Sequence, residues 1–179
     1  SYEPKMAKNY KELLKHVTTF CFDVDGVFTD GIVYLIGGGE QARTANVRDG
    51  YAVQLAIKKG YRIAIISGGR SQEVQRRFEG LGVEDVFLGS SDKVAVLNAY
   101  MEKHALKAEE ICYMGDDIPD LKVMHMVGIP CCPSDAVPEI QDICQYVSHK
   151  SGGKGCVRDI LEQTMRLQGN WMDNDAHHW

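Results

Sequence analysis

The chain has 179 residues, 44% of them hydrophobic, which suits one domain of ordinary size and is too little for two. Twenty Lys/Arg against twenty-five Asp/Glu give a formal net charge of −5, and a nucleic-acid binder normally carries a basic excess. No apolar run approaches the ~20 residues that span a bilayer, and the stretch from Ser1 to His16 is too polar for a secretory signal.

In chain order, Thr18–Val24 is a short apolar run ending in acid and glycine, as a strand buried on both faces would be. No helix can be drawn between Asp25 and Asp49. There, Ile32–Ile36 and Ala42–Val47 flank Gly37, Gly38 and Gly39, which predicts a hairpin flap over about 31–47. A helix follows with Ala52, Leu55 and Ala56 on one face, then a strand over Tyr61–Ser67. Val74, Arg77, Phe78 and Leu81 space a second helix, and Val83–Leu88 reads as a third strand. Val94, Leu97 and Met101 mark a third helix before the strand Ile111–Met114. Val127–Cys131 and Gln145–Val147 are weaker strands, and Val157, Ile160, Leu161 and Met165 define a last helix. The tail from about 169 to 179, glycine- and asparagine-rich, is expected to be flexible.

Strands alternating with helices predict an α/β fold: a three-layer, Rossmann-like parallel sheet with helices on both faces, in one domain over 1–179. Six cysteines without a C-x-x-C pair point to free buried thiols in a reducing compartment, hence the cytoplasm. His16, His104, His125 and His149 share no ligand spacing, and none is taken as a metal ligand.

Ligands of such sheets bind at the carboxyl ends of the strands. The first strand delivers Asp23, Val24, Asp25 and Gly26, and the second delivers Ser67, Gly68, Gly69 and Arg70. The third leads to Ser91-Asp92-Lys93, opening a helix, and the fourth to Gly115, Asp116, Asp117 and, one turn on, Asp120. Clustered carboxylates repel one another unless a hard cation joins them, and Mg²⁺ prefers oxygen ligands. Ser67 and backbone N–H groups can hold a phosphate while Lys93 offsets its charge. Two carboxylates two residues apart can supply a nucleophile and an acid/base group for phosphate-ester hydrolysis.

Asp23-Val24-Asp25-Gly26-Val27, then Ser67, then Lys93, then Gly115-Asp116-Asp117 with Asp120 resembles all four motifs of the haloacid dehalogenase-type phosphatases, in order. The resemblance implies Asp23 as nucleophile and Asp25 as general acid/base. It implies that Asp23, Asp116 and the Asp25 carbonyl hold Mg²⁺, that Ser67 and Lys93 hold the phosphate, and that Asp117 and Asp120 orient them. Asp23 to Ser67 is 44 residues and Ser67 to Lys93 is 26, which leaves no room for a cap domain. The chain is therefore similar to the capless subgroup, which implies a sugar-acid phosphate substrate of eight or nine carbons, a role in lipopolysaccharide precursor synthesis and a homotetramer.

The strings that carry this likeness include Phe22 to Gly31, Asn46-Val47-Arg48-Asp49-Gly50 and Ser67-Gly68-Gly69-Arg70-Ser71. Asn46, Arg48, Asp49, Gly50, Gly68, Arg70 and Arg77 become the expected substrate contacts, the arginines offering a bidentate fork to a sugar carboxylate. The bland alternative is surface arginines paired with Asp49 or Glu73. The rival reading is a phosphorylation-sensing receiver module, which needs an acid at the third strand end. Here that strand ends in Phe87-Leu88-Gly89. The hairpin's apolar row Ile32–Ile36 is expected to close the open site of a neighbouring subunit.

Overall fold

The computed structural model describes residues 6–172 and 177. Strands β1 (Thr19–Phe22), β4 (Arg62–Ile66), β5 (Asp85–Phe87), β6 (Ile111–Met114), β7 (Ile129–Cys132) and β8 (Tyr146–Val147) form one parallel sheet in the order β5-β4-β1-β6-β7-β8. The chain builds outward from β1 in one direction and then the other. A crevice therefore opens at the carboxyl ends of β1 and its neighbours β4 and β6, where such folds bind ligands.

Alternation along β1 sorts the core into two layers. Phe20 and Phe22 face helices α1 (Met6–Leu14), α2 (Val47–Lys58), α3 (Gln72–Gly80) and α7 (Cys156–Leu167). Cys21 faces α4 (Lys93–His104), α5 (Leu121–Met124) and α6 (Pro138–Gln141). Two of the expected helix faces are buried as drawn, Ala52, Leu55 and Ala56 on α2, and Val157, Ile160, Leu161 and Met165 on α7, whereas Phe78 on α3 and Leu97 on α4 are buried among half-buried neighbours. Helix α1 was not expected from its polar sequence; its Leu14 anchors it in the first layer.

The flap is a separate two-stranded ribbon. β2 (Tyr34–Ile36) pairs antiparallel with β3 (Glu40–Ala42) across a 3₁₀ turn, Gly37–Gly39. Its return arm is shorter than expected and ends at Ala42 rather than Val47. The reason is local: the Asn46 side chain accepts the N–H groups of Arg48 and Asp49, which caps α2 and turns Val47 into its first residue.

The expected flexible tail begins docked. The Asn170 N–H donates to the Met165 carbonyl at 2.7 Å. The Trp171 ring meets Tyr51 edge-on, with the Arg158 guanidinium 4.8 Å above it. Trp179 lies outside the described residues.

Candidate active site

Adjacent strands bring the first acids together. The Asp23 N–H donates to the Met114 carbonyl at 3.1 Å and so prolongs the β1–β6 ladder by one residue. Asp116 follows β6 by two residues and faces Asp23 across that seam. Gly26, at φ +83°, lies against the Asp116 carboxylate so closely that a Cβ there would run into it. The glycine of the first motif is thus required by the packing of one acid loop on the other. A second close approach supports the same loop. Gly152 packs backbone to backbone on Gly26 and Thr29, leaving no room for a side chain.

Carboxylate oxygens of Asp23, Asp116 and Asp120 all lie within 4.8 Å of one another. Lys93 Nζ sits 2.8 Å from Asp120 Oδ1 and 3.1 Å from Asp23 Oδ2. Lys93 stands at the head of α4, whose first turn is capped by Asp92. Asp120 is fully buried and also accepts the Tyr113 hydroxyl at 2.8 Å. Burial, and then the Asp120 charge, push the Asp23 carboxyl up to about 8, with Lys93 acting against them. Asp116 is pushed up to about 7 by burial and by the charges of Asp120 and Asp117. For Lys93, burial disfavours the charge, yet Asp120 and Asp23 outweigh it and hold its pKa above the usual lysine value.

One ammonium thus faces three crowded carboxylates, and the deficit is positive charge. All the donors are hard oxygens, so the group fits Mg²⁺.

Asp25 points the other way. Its Oδ1 and Oδ2 take the Arg43 Nε and Nη2 at 2.7 and 3.1 Å, and Thr29 Oγ1 donates to Oδ1 at 3.3 Å. Ser67 is buried at the end of β4, where its Oγ accepts the Gly69 N–H at 3.2 Å. Asp25, Arg43, Ser67, Gly69 and Ser71 line one small cleft. Beyond Arg43 opens a cavity of about 390 Å³ under the flap, lined among others by Phe28, Asn46, Gly50, Val74 and Arg77.

Asp23, Lys93, Asp116 and Asp120 therefore converge, and Asp25 and Ser67 share the small cleft beside Arg43. Of the two expected supporting acids, Asp120 reaches Lys93, whereas Asp117 is exposed and accepts the Ile118 N–H at the start of a 3₁₀ turn. The expected substrate contacts divide. Asn46, Gly50 and Arg77 line the cavity. Arg48 is exposed on the outer side of α2, Gly68 lies in an exposed turn, and Arg70 is exposed beside Gly89. Asp49 turns inward, where its Oδ1 accepts the Arg158 N–H at 2.8 Å. Arg43, Thr29 and Tyr113 were not foreseen in the sequence.

An open parallel sheet whose crevice gathers D-x-D-G, a strand-end serine, a helix-opening lysine and G-D-D-x-x-D defines a phosphatase of the haloacid dehalogenase class. No protein-family model matches the chain. The 3-deoxy-D-manno-octulosonate 8-phosphate phosphatase KdsC of Salmonella typhi is 35% identical over 155 residues, 87% of this chain and 82% of its own. A HAD superfamily (subfamily III A) hydrolase from Legionella pneumophila has a TM-score of 0.88 at 29% identity, covering 92% of this chain and 90% of that one. The 3-deoxy-D-manno-octulosonate 8-phosphate phosphatase of Moraxella catarrhalis, solved with a magnesium ion, a phosphate ion and KDO, has a TM-score of 0.86 at 30% identity, covering 90% and 92%. The chain belongs to the haloacid dehalogenase superfamily and, within it, to the 3-deoxy-D-manno-octulosonate 8-phosphate phosphatase family.

Proposed function

We propose that the protein hydrolyses 3-deoxy-D-manno-octulosonate 8-phosphate to the free sugar acid and inorganic phosphate, working with Mg²⁺ as a homotetramer. The observation that carries the reading is the single cluster in which Lys93 bridges Asp23 and Asp120 beside Asp116.

Asp23 attacks phosphorus through a side-chain oxygen, and the bond to the ester oxygen breaks. Asp25 gives that oxygen a proton, which releases the sugar acid and leaves an aspartyl-phosphate on Asp23. Asp25, now a base, takes a proton from water as the water attacks phosphorus, which frees phosphate and restores Asp23. Lys93, Ser67 and the Gly69 N–H hold the phosphoryl oxygens in place. The Asp23 and Asp116 side chains and the Asp25 carbonyl would hold Mg²⁺, which neutralises the carboxylates and polarises the phosphoryl group. The cavity beyond Arg43 takes the sugar, with Arg77 and Asn46 as its polar contacts, while Arg48 and Arg70 lie outside its lining.

Two features favour an assembly. Leu35 is 81% exposed and Ile32 and Tyr34 are each 57% exposed, an apolar row on a ribbon too small to be stable alone. The chain's own flap lines the sugar cavity, but among the described residues no cap domain covers the acidic cluster. Packing the flap of one subunit over the crevice of the next answers both. Free, buried thiols at all six cysteines fit a reducing cytoplasm. No helix among the described residues is long and apolar enough to cross a membrane.

Phosphate release measured across a panel tests the reading. The panel holds the eight-carbon sugar-acid phosphate, a nine-carbon nonulosonate 9-phosphate, 4-nitrophenyl phosphate and phosphopeptides. The eight-carbon ester should give the highest kcat/KM. Preference for the nine-carbon ester or for phosphopeptides would overturn the substrate assignment, and no release from any would overturn the activity.

A further inference from the structure

Asp120 stands in the acidic cluster, and nothing in its position alone decides whether it serves a cation or Lys93. Its surroundings decide it. Tyr113 lies in β6 with no exposed surface, and its hydroxyl donates to Asp120 Oδ1 at 2.8 Å. The same oxygen accepts Lys93 Nζ at 2.8 Å. The other oxygen, Oδ2, faces the Asp116 N–H at 3.4 Å. The carboxylate is also wedged against the chain: a Cβ on Gly115 would sit 2.7 Å from Asp120 Cβ, Cγ and Oδ2. A buried carboxylate oxygen with two donors at this range is oriented by both. The chain of contacts then runs from the sheet to the cluster: Tyr113 to Asp120, Asp120 to Lys93, Lys93 to Asp23.

We infer that Tyr113 is a positioning residue for phosphate binding: its hydroxyl pins Asp120 toward Lys93, and so fixes the ammonium that meets the phosphoryl group. A phenylalanine here would fill the same apolar space. The hydroxyl is the part that the core does not need and the site does. Without it, Asp120 Oδ1 keeps one donor, and Lys93 loses its fixed height beside Asp23. The inference rests on the reading of Lys93 as a phosphate-holding group.

The test compares Tyr113→Phe, Asp120→Asn, the double variant and Lys93→Met, with inorganic phosphate as the probe in the presence of Mg²⁺. Circular dichroism checks the fold. Tyr113→Phe should raise the inhibition constant of phosphate about tenfold, the scale of one charge-assisted hydrogen bond. It should add less than about twofold on the Asp120→Asn background, because neighbours that act through one another are not additive. A purely structural role for the hydroxyl would leave phosphate binding unchanged or give the same increment on both backgrounds, and either result overturns the inference.

Should Tyr113→Phe fail to fold, the wild type decides. The ¹³Cζ resonance of Tyr113 should move when Mg²⁺ and phosphate are added and should stay put in Asp120→Asn; no movement in the wild type overturns the inference. If Lys93→Met also binds phosphate normally, the reading of Lys93 itself falls. If only Lys93→Met weakens it, Tyr113 alone is misassigned.

Discussion

Arg43 grips Asp25 with two nitrogens, Nε at 2.7 Å and Nη2 at 3.1 Å, and the same side chain divides the phosphate cleft from the larger cavity. The residue that follows the flap's return arm is thereby tied to the proposed acid/base group. A planar fork on a carboxylate fixes its orientation as well as its place. Arg43→Met should therefore cost about 10- to 100-fold in kcat for the sugar-acid phosphate, part of the contribution typical of general acid–base catalysis. The burst of 4-nitrophenol release from 4-nitrophenyl phosphate should keep its rate, because that leaving group needs no proton, while steady-state turnover falls with the base that activates water. A burst slowed as much as the steady state would mean that Arg43 holds phosphate rather than Asp25.

Arg77 lines the cavity and Arg48 does not. Arg77→Ala should raise KM for the sugar-acid phosphate by about ten- to a hundredfold, the scale of a lost charged hydrogen bond. Arg48→Ala should have a smaller effect in the isolated subunit's geometry and a larger one only if a neighbouring subunit brings substrate to it. KM values for both variants against both esters separate these roles.

Asp49 is a buried acid whose Oδ2 has no hydrogen-bond partner. Burial pushes its carboxyl up to about 6, with Arg158 and Arg77 holding it back. The folded state therefore keeps a proton that the unfolded chain has already lost, and this group's stability contribution falls as pH rises from about 4 to about 6. Above pH 6 the penalty is constant. Asp49→Asn keeps the acceptor for the Arg158 N–H, so it should stabilise the protein at pH 7 by up to about 3 kcal/mol and hardly at all near pH 4. Thermal unfolding at the two pH values reads this directly, and destabilisation at pH 7 would refute it.

The exposed ribbon predicts assembly. Tyr34→Asp with Leu35→Asp should convert the oligomer to monomer in sedimentation and should lower activity at the same time. A monomeric wild type, or a monomeric double variant with full activity, would remove the role of the flap as a neighbour's lid.

The sheet and the acids that cluster at its edge were legible for one physical reason. Strands buried on both faces read as unbroken apolar runs, and β1, β4 and β6 end abruptly in acids or a serine that are not buried without a partner. The string Asn46 to Gly50 was legible as a unit but not in its parts. Successive helical residues point about 100° apart, so Asn46 caps, Arg48 faces outward and Asp49 faces α7. Arg43 was hidden because a charge in a hairpin arm has no periodicity to mark it. Tyr113 was hidden within Ile111–Met114, where it reads as one more apolar residue until Asp120 folds back onto it.

The central claim is that Asp23 carries the phosphoryl group. The direct measurement is to quench the Asp25→Asn variant during turnover of 4-nitrophenyl phosphate, reduce it with borohydride and map the peptides by mass spectrometry. Asp25→Asn slows the attack of water, so the aspartyl-phosphate accumulates and reduction converts residue 23 to homoserine. Homoserine at position 23, absent when substrate is withheld, is the predicted result. An unmodified Asp23 in an enzyme that still releases 4-nitrophenol, or reduction at another carboxylate, would contradict the account.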